Sequence, residues 1–503
     1  MHTQLTRKGY IIPKSDLNGE QIKELVKELT AIPVLPPTYS KKTNAFKCLR
    51  ESTRHYYLPR YYGVKKFGEP KEIHFNDYNL PKNLGHTIVL KDYQKDVVDV
   101  SLKHIKEFGG GVISLACGMG KTVCALYMLM QLKKKTLVVV HKNFLLDQWV
   151  QRIKQFIPNA RIGTIQGAVI DTTDKDIVIA MLQSVSMRTY DPAVFADFGT
   201  IIVDENHHIS TEVFSKALPK IAARYTIGLS ATPVRQDKLE KVVFWYLGDI
   251  IYKLGRDDTD CVLVKRVHFQ SNNDLYIQEH RMMDRTLNHG KMISQIANYA
   301  PRNRMIVHEI LYYVREEGRQ ILVMSDRRDV QLKRLKMMLD GQKAVISRNG
   351  IERPLTIGMF LGGQKKSDRE KSETCDVILA TYGVARDGLD IKTLNTLLLA
   401  TPVTDIEQAC GRILRENAEN GTRPLIIDIS DSFSVFLNQS KKRLKFYKSK
   451  TYKVSDFYYK ENAVFNSLEI SSKNLSKVKV NSSSDSSKKE VIDCKAYTFS
   501  DSE

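Results

Sequence analysis

No two cysteines stand at the two-residue spacing that holds zinc or runs thiol exchange. The seven are scattered as Cys48, Cys117, Cys124, Cys261, Cys375, Cys410 and Cys494. That pattern excludes a disulfide-stapled secreted scaffold and reads as reduced thiols in an intracellular setting. Apolar runs long enough to span a bilayer are also missing, so no membrane partner is expected. The opening Met1-His2-Thr3-Gln4-Leu5-Thr6-Arg7-Lys8 lacks the apolar stretch of a secretory leader. Acidic surplus is lacking too: 77 Lys and Arg face 57 Asp and Glu, a net charge of +20. Such an excess suits a polyanionic partner, although it also serves solubility. Hydrophobic residues make up 42% of 503 positions, more than one core accommodates, so about two to four domains are expected.

What is present begins with Leu115-Ala116-Cys117-Gly118-Met119-Gly120-Lys121-Thr122. A short apolar strand is predicted at 112–115, and helix-forming residues run from Val123 to Leu132. Strand, glycine loop and helix in that order make a phosphate cradle. Gly118 and Gly120 let backbone amides of Cys117, Met119 and their neighbours approach an anion at a helix N-terminus. Lys121 is placed for the β- and γ-phosphates and Thr122 for Mg²⁺. Leu115 stands where the general pattern has its first glycine.

A second strand, predicted at 200–203, ends in Asp204-Glu205-Asn206-His207. Carboxylates at the carboxyl edge of a parallel sheet lie where open α/β folds bind ligands. Asp204 suits Mg²⁺ and Glu205 the attacking water, since phosphoryl transfer needs positioning and charge neutralisation. Ser230-Ala231-Thr232 closes the next strand, where small hydroxyl residues can sense the Asp-Glu segment together with His207. Gln94, in Tyr93-Gln94, offers an amide that could pair with an adenine edge, making ATP the fuel. Further along, Gln408-Ala409-Cys410-Gly411-Arg412-Ile413-Leu414-Arg415 sets two arginines on one predicted helix face. An arginine that reaches a γ-phosphate raises the rate by about 10³–10⁵. Gly388 and Asp390 suit a tight loop touching nucleotide and nucleic-acid backbone. His141, Lys142 and Thr381, at predicted strand ends, are candidate nucleic-acid contacts, and Trp149 reads as core.

Five divisions are expected: 1–85 as an N-terminal accessory domain, 86–250 as an ATP-binding lobe, 251–300 as a charged linker, 301–435 as a second α/β lobe, and 436–503 as a basic Ser- and Lys-rich tail, partly disordered. Strand–helix alternation in both lobes predicts parallel sheets. Tyr56 to Gly63 reads as aromatic packing of a small domain in preference to a stacking surface. For the basic run Lys441 to Lys448, nucleic-acid attachment and a solvated tail both stand open.

The ordered motifs at 115–122, 204–207, 230–232, 381–391 and 408–415 resemble those of superfamily 2 helicases over residues 86–430. Together with Ala231-Thr232-Pro233-Val234-Arg235-Gln236-Asp237, they look most like the branch of the TFIIH translocase XPB and the transcript-release helicases of poxviruses and other large cytoplasmic DNA viruses. The resemblance implies an α/β fold of two tandem RecA-like lobes, a small N-terminal domain and a disordered basic tail. It also implies ATP, Mg²⁺ and 3′-to-5′ work on double- or single-stranded DNA. Transcript release or repair, RNA polymerase or an elongation complex as partner, and a cytoplasmic viral compartment or virion follow from the same source. In that branch an Arg-Glu-Asp signature assists strand separation through residues matching Arg235 and Asp237; Gln236 here replaces the glutamate. Two other readings compete: an RNA helicase or RNA-stimulated ATPase, and an inert nucleic-acid scaffold.

Overall fold

Runs of β-branched residues, buried on both faces, form the centre of each half of the chain. The computed structural model describes residues 2–32, 45–75, 77–116, 118–204, 212–231, 239–255, 262–340, 345–348, 351–364, 366–384, 391, 393–404, 406–414 and 422–461. The chain divides into two units, Met1–Arg256 and Asp257–Glu503. Among the described residues no helix is long and apolar enough to cross a membrane.

In the first unit an eight-stranded sheet runs Val169–Ile170, Ile162–Gln166, Ile177–Met181, Thr136–Val140, Thr200–Val203, Tyr225–Ser230, Gly110–Leu115 and Ile250–Leu254. Its neighbours are parallel except at the Val169–Ile170 edge. Alternate side chains feed opposite layers. Val138 and Val140 join one core with Trp149 and Ile153, while Leu137 and Val139 join another with Phe195 and Leu218. Helices on both faces explain why these strands are apolar throughout and do not alternate.

The second unit has seven strands, all parallel: Ile357–Phe360, Val377–Thr381, Ile321–Ser325, Thr396–Leu399, Leu425–Asp431, Leu263–Gln270 and Lys453–Lys460. Its order repeats that of the first unit, with Leu263–Gln270 standing where Gly110–Leu115 stands. Each sheet then adds one outer strand, Ile250–Leu254 or Lys453–Lys460. The repeat extends to side chains. Asp176 and Asp376 precede equivalent strands and are 3% and 1% exposed. Arg161 donates to Asp176 at 3.1 and 2.9 Å, and Arg353 to Asp376 at 2.7 and 2.6 Å. Burial pushes both carboxyls up, but hydrogen bonds from the arginines and nearby backbone outweigh it and hold them below the usual carboxylate range.

Three expectations change. The stretch 251–300 is not a linker: it supplies Ile250–Leu254 to one sheet, Leu263–Gln270 to the other, and the helix His289–Asn298. The start of the expected tail is folded as well, as the helix Ser434–Ser449 and the strand Lys453–Lys460. Lys441, Lys442, Lys445 and Lys448 are exposed, whereas Arg443 and Tyr447 are buried, so this run is part of a packed helix and not a loose tail. Residues 462–503 lie outside those described.

The N-terminal residues also join the first unit. Their five-stranded sheet, ordered Arg50–Glu51, His55–Leu58, Gly9–Pro13, Gln4–Thr6 and Glu72–Ile73, shares a core with Leu239, Val242 and Trp245. Tyr56 and Tyr62 are 6% and 8% exposed, in keeping with packing. Arg60 donates to the Arg224 carbonyl at 2.6 Å, and the Tyr61 and Thr226 hydroxyls share a hydrogen bond of 2.8 Å. Gly109 and Gly110 admit these groups, since a Cβ at either position would run into Arg60 or into Tyr61 and Thr226.

Candidate nucleotide site

Parallel pairing brings three motifs to one edge of the first sheet. Thr200–Val203 pairs with Tyr225–Ser230, which pairs in turn with Gly110–Leu115, and Ser230 lies opposite Ser114. The carboxyl ends of these strands carry Asp204, Ser230-Ala231 and the loop 116–120.

The loop has the backbone that a phosphate cradle needs. Gly118 and Gly120 have φ of 81° and 78°, the left-handed region that only glycine adopts freely. Gly120 caps the helix Lys121–Leu132, with Cys124 N donating to its carbonyl at 3.0 Å. The N–H groups that open this helix lack carbonyl partners within it, and the partial positive charge of a helix N-terminus suits an anion. Lys121 Nζ reaches back to the Leu115 carbonyl at 3.4 Å, and Thr122 occupies the first turn. This geometry fits a nucleoside triphosphate.

Two side chains hold the site from behind. Trp149 Nε1 donates to Asp204 Oδ2 at 2.8 Å, and the Asp204 amide donates to the Val139 carbonyl at 3.0 Å. The indole is 1% exposed, so it is core as expected, with its one polar atom spent on the proposed magnesium ligand. Gln94 is 4% exposed and uses both ends of its amide. Oε1 accepts from Lys91 N at 3.0 Å, and Nε2 donates to the Met119 carbonyl at 3.1 Å. Tyr93 supports the same carbonyl at 3.3 Å. Here Gln94 is therefore a loop brace, and adenine pairing requires those bonds to exchange. Neither role was legible, because each contact crosses elements.

The candidate nucleic-acid contacts divide. His141 is 5% exposed and its carbonyl accepts from Gln183 Nε2 at 2.7 Å. Position at a strand end suggested a surface contact, but burial removes the ring from one in this conformation. Lys142 is half-buried at the N-cap of Asn143–Phe156. Thr381 ends its strand opposite Ser325 at the carboxyl edge of the second sheet.

In the second unit, Gln408 lies on Glu407–Cys410, a single helical turn. Arg412 follows in the next turn, where its amide donates to the Ala409 carbonyl at 3.1 Å. The expected continuous helix face is thus one turn plus a bend. Ile413 and Leu414 point into the core. Arg443, from the helix Ser434–Ser449, joins the turn before this segment to the sheet: its Nη1 donates to the Val403 carbonyl at 2.9 Å while its Nε donates to Asp428 at 2.9 Å. Cys117, Glu205, His207, Thr232, Arg235, Asp237, Gly388, Asp390 and Arg415 lie outside the described residues.

Comparison with known proteins agrees with the fold. The family model "Type III restriction enzyme, res subunit" matches residues 87–235. A protein of Acanthamoeba polyphaga mimivirus, provisionally named an ATP-dependent RNA helicase, is 33% identical over 467 residues, covering 92% of this chain and 88% of that one. A relative from African swine fever virus with the same kind of name is 25% identical over 382 residues, covering 73% and 74% of the two chains. Among solved structures, a fragment assigned to the HsdR subunit of a type I restriction enzyme from Vibrio vulnificus aligns with TM-score 0.52 and 18% identity, covering 75% of this chain and 70% of that one. Its likeness concerns the fold. With a third of positions shared along nearly the whole mimivirus relative, this chain belongs to the superfamily 2 helicases.

Proposed function

We propose that the protein is an ATP-driven motor on DNA, a 3′-to-5′ helicase or translocase of the XPB-like branch working in transcript release or repair. The observation that carries the ATP site is the alignment of the loop 116–120, Asp204 and Ser230-Ala231 along one carboxyl edge. Lys121 would bind the β- and γ-phosphates, and Thr122 with Asp204 would hold Mg²⁺, whose charge offsets that building on the phosphates. Glu205 is assigned to the attacking water, with Arg412 and Arg415 assigned to the γ-phosphate during turnover. Ser230, Thr232, His207 and Gln408 would couple nucleotide state to nucleic-acid grip. RNA polymerase or an elongation complex is the partner this reading implies.

The second reading is an RNA helicase, favoured by the names that both viral relatives carry. ATP turnover with duplex DNA, single-stranded DNA and RNA separates the two. Stimulation by DNA supports the first reading, and stimulation by RNA alone supports the second. Lys121→Ala should abolish turnover in either case; a folded variant with wild-type turnover would remove the site assignment.

A further inference from the structure

The helix Ser434–Ser449 shows solvent charge of one sign. Its 16 residues include no Asp or Glu. Lys441, Lys442, Lys445 and Lys448 are exposed, while Phe436, Ser440, Arg443 and Tyr447 are buried. The helix Asp92–Phe108 offers a contrast within the same chain: its Lys95, Lys103 and Lys106 are interspersed with Asp92, Asp96 and Asp99, all exposed. Solvated helix faces ordinarily mix both signs in that way. We infer that the lysine face of Ser434–Ser449 is a second docking surface for nucleic acid, gripping phosphates away from the motor loops. It rests on the motor reading above for the identity of the polyanion.

These charges are largely uncompensated. Lys441, Lys442 and Lys445 form no ion pair among the described residues. Lys448 lies within electrostatic reach of Asp456, but that carboxylate is held by Arg266 at 2.8 Å and His268 at 2.6 Å. Lys441 and Lys445 are four positions apart and Lys445 and Lys448 three, spacings at which like charges on a helix repel. An anion bound across them relieves that repulsion.

Contacts with the neighbouring strand fix where the lysines lie. The Ser440 and Ser430 hydroxyls share a hydrogen bond of 2.9 Å, whereas Tyr447, about two turns later, donates to Asp428 at 3.1 Å. The helix therefore runs back from the carboxyl edge, where Thr381 and Asp431 end their strands, and its lysines flank the sheet on that return. Its position is set in advance. Arg443 is bound to Asp428 at mid-helix, and Ser434 and Thr451 at its two ends take φ of 47° and 55°. A non-glycine residue keeps that left-handed conformation only where its surroundings hold it.

Charge and spacing select the occupant. Along the helix axis Lys445 follows Lys441 by about 6 Å, and Lys448 follows by about 4.5 Å more. Each strand of a duplex carries a phosphate every 3.4 Å or so, at about 3.4 Å of axis, which puts neighbouring lysines between one and two phosphates apart. Ammonium groups are hydrated point charges that meet phosphates without reading sequence. A protein partner would need an apolar centre, and lysine is depleted from such interfaces. Among the described residues Leu437 alone is a large exposed apolar side chain on this helix. A lipid surface would need the helix's apolar side, which is buried in the unit's own cores through Phe436 and Tyr447.

The test measures equilibrium binding of duplex DNA, single-stranded DNA and RNA across a salt series. It compares the intact chain with a Lys441→Ala/Lys442→Ala/Lys445→Ala/Lys448→Ala variant, and ATP turnover of the intact chain on each nucleic acid is read alongside. A phosphate contact is worth about 0.9 in the log–log salt slope on duplex DNA and about 0.7 on a single strand. Loss of four lysines should therefore flatten the slope by about 3 on at least one nucleic acid, with the thermal midpoint unchanged. A variant with arginine at all four positions keeps the charge and should keep the slope. A slope within about 0.5 of the intact chain's on every nucleic acid would overturn the surface, leaving the lysines to solvent or to an acidic protein. Equal flattening in the arginine variant would overturn it too, since charge would then not be what binds. Turnover stimulated by nucleic acid with an unchanged slope removes the surface and leaves the motor reading standing. A flattened slope in a chain whose turnover no nucleic acid stimulates removes the motor reading and leaves the surface.

Discussion

Trp149 and Asp204 sit in elements 55 positions apart, yet one hydrogen bond of 2.8 Å joins them. In the proposed site, Asp204 would present one oxygen toward a hydrated metal, and fixing the other would spare the ligand reorganisation at each turnover. Trp149→Phe keeps most of the apolar contact with the surrounding layer and deletes the donor. ATP turnover should drop about tenfold, equivalent to about 1.4 kcal/mol, while affinity for nucleotide changes little. Steady-state hydrolysis beside titration of a fluorescent ATP analogue checks it; unchanged turnover would leave the indole with packing alone. The loop 115–122 and Asp204 were legible because each is a local strand-to-loop pattern. The Trp149 bond was not, since tryptophan reads as core whether or not its nitrogen has an employer. Depth was equally hidden at His141: the end of a strand can open to solvent or lie under a neighbouring loop, and spacing does not distinguish them.

At the scale of elements, the run Gly109-Gly110-Gly111 marks both a helix stop and a close approach. Gly109 closes the helix Asp92–Phe108 with φ of 91°, while Gly110 opens the buried strand beneath Tyr61 and Thr226. Among the atoms a Cβ at Gly110 would strike is the Thr226 carbonyl oxygen, which belongs to the sheet and has little freedom to yield. Gly110→Ala should therefore destabilise the first unit by about 3 kcal/mol, seen as a lowered thermal midpoint. A midpoint equal to wild type would mean that the sheet yields at Thr226 without loss of stability. Strands such as Thr136–Val140 were readable because they are apolar throughout. Leu263–Gln270 was not, because Lys265 and Arg266 make it look like charged connection. Their partners are remote in sequence: Lys265 Nζ lies 2.8 Å from Glu309 and Arg266 Nη1 2.8 Å from Asp456. Arg443 misled in the same way, since a buried arginine and a solvated one are identical until Asp428 is seen beside it.

Across the whole molecule, two sheets of equivalent order each finish with an added parallel strand, and in the second unit that strand comes from the segment read as tail. Lys453–Lys460 pairs with Leu263–Gln270 along its entire length, covering what would otherwise be an open edge. The preceding helix Ser434–Ser449 supplies Arg443, which is 1% exposed, to Asp428, which is 0% exposed. Trimming the chain to 1–435 would leave Asp428 without its arginine and Arg266 without both Asp456 and Ser440. Stranding one partner of a buried ion pair costs about 3–5 kcal/mol, a large part of the roughly 5–15 kcal/mol by which a domain is stable. Trimming to 1–461 removes none of these contacts. The 1–461 chain should retain the wild-type unfolding profile and protease resistance, and the 1–435 chain should lose the cooperative transition of its second unit. Circular dichroism melts with limited proteolysis distinguish the outcomes. A 1–435 chain whose second unit still melts cooperatively at the wild-type midpoint would show that residues 436–461 decorate that sheet without completing it.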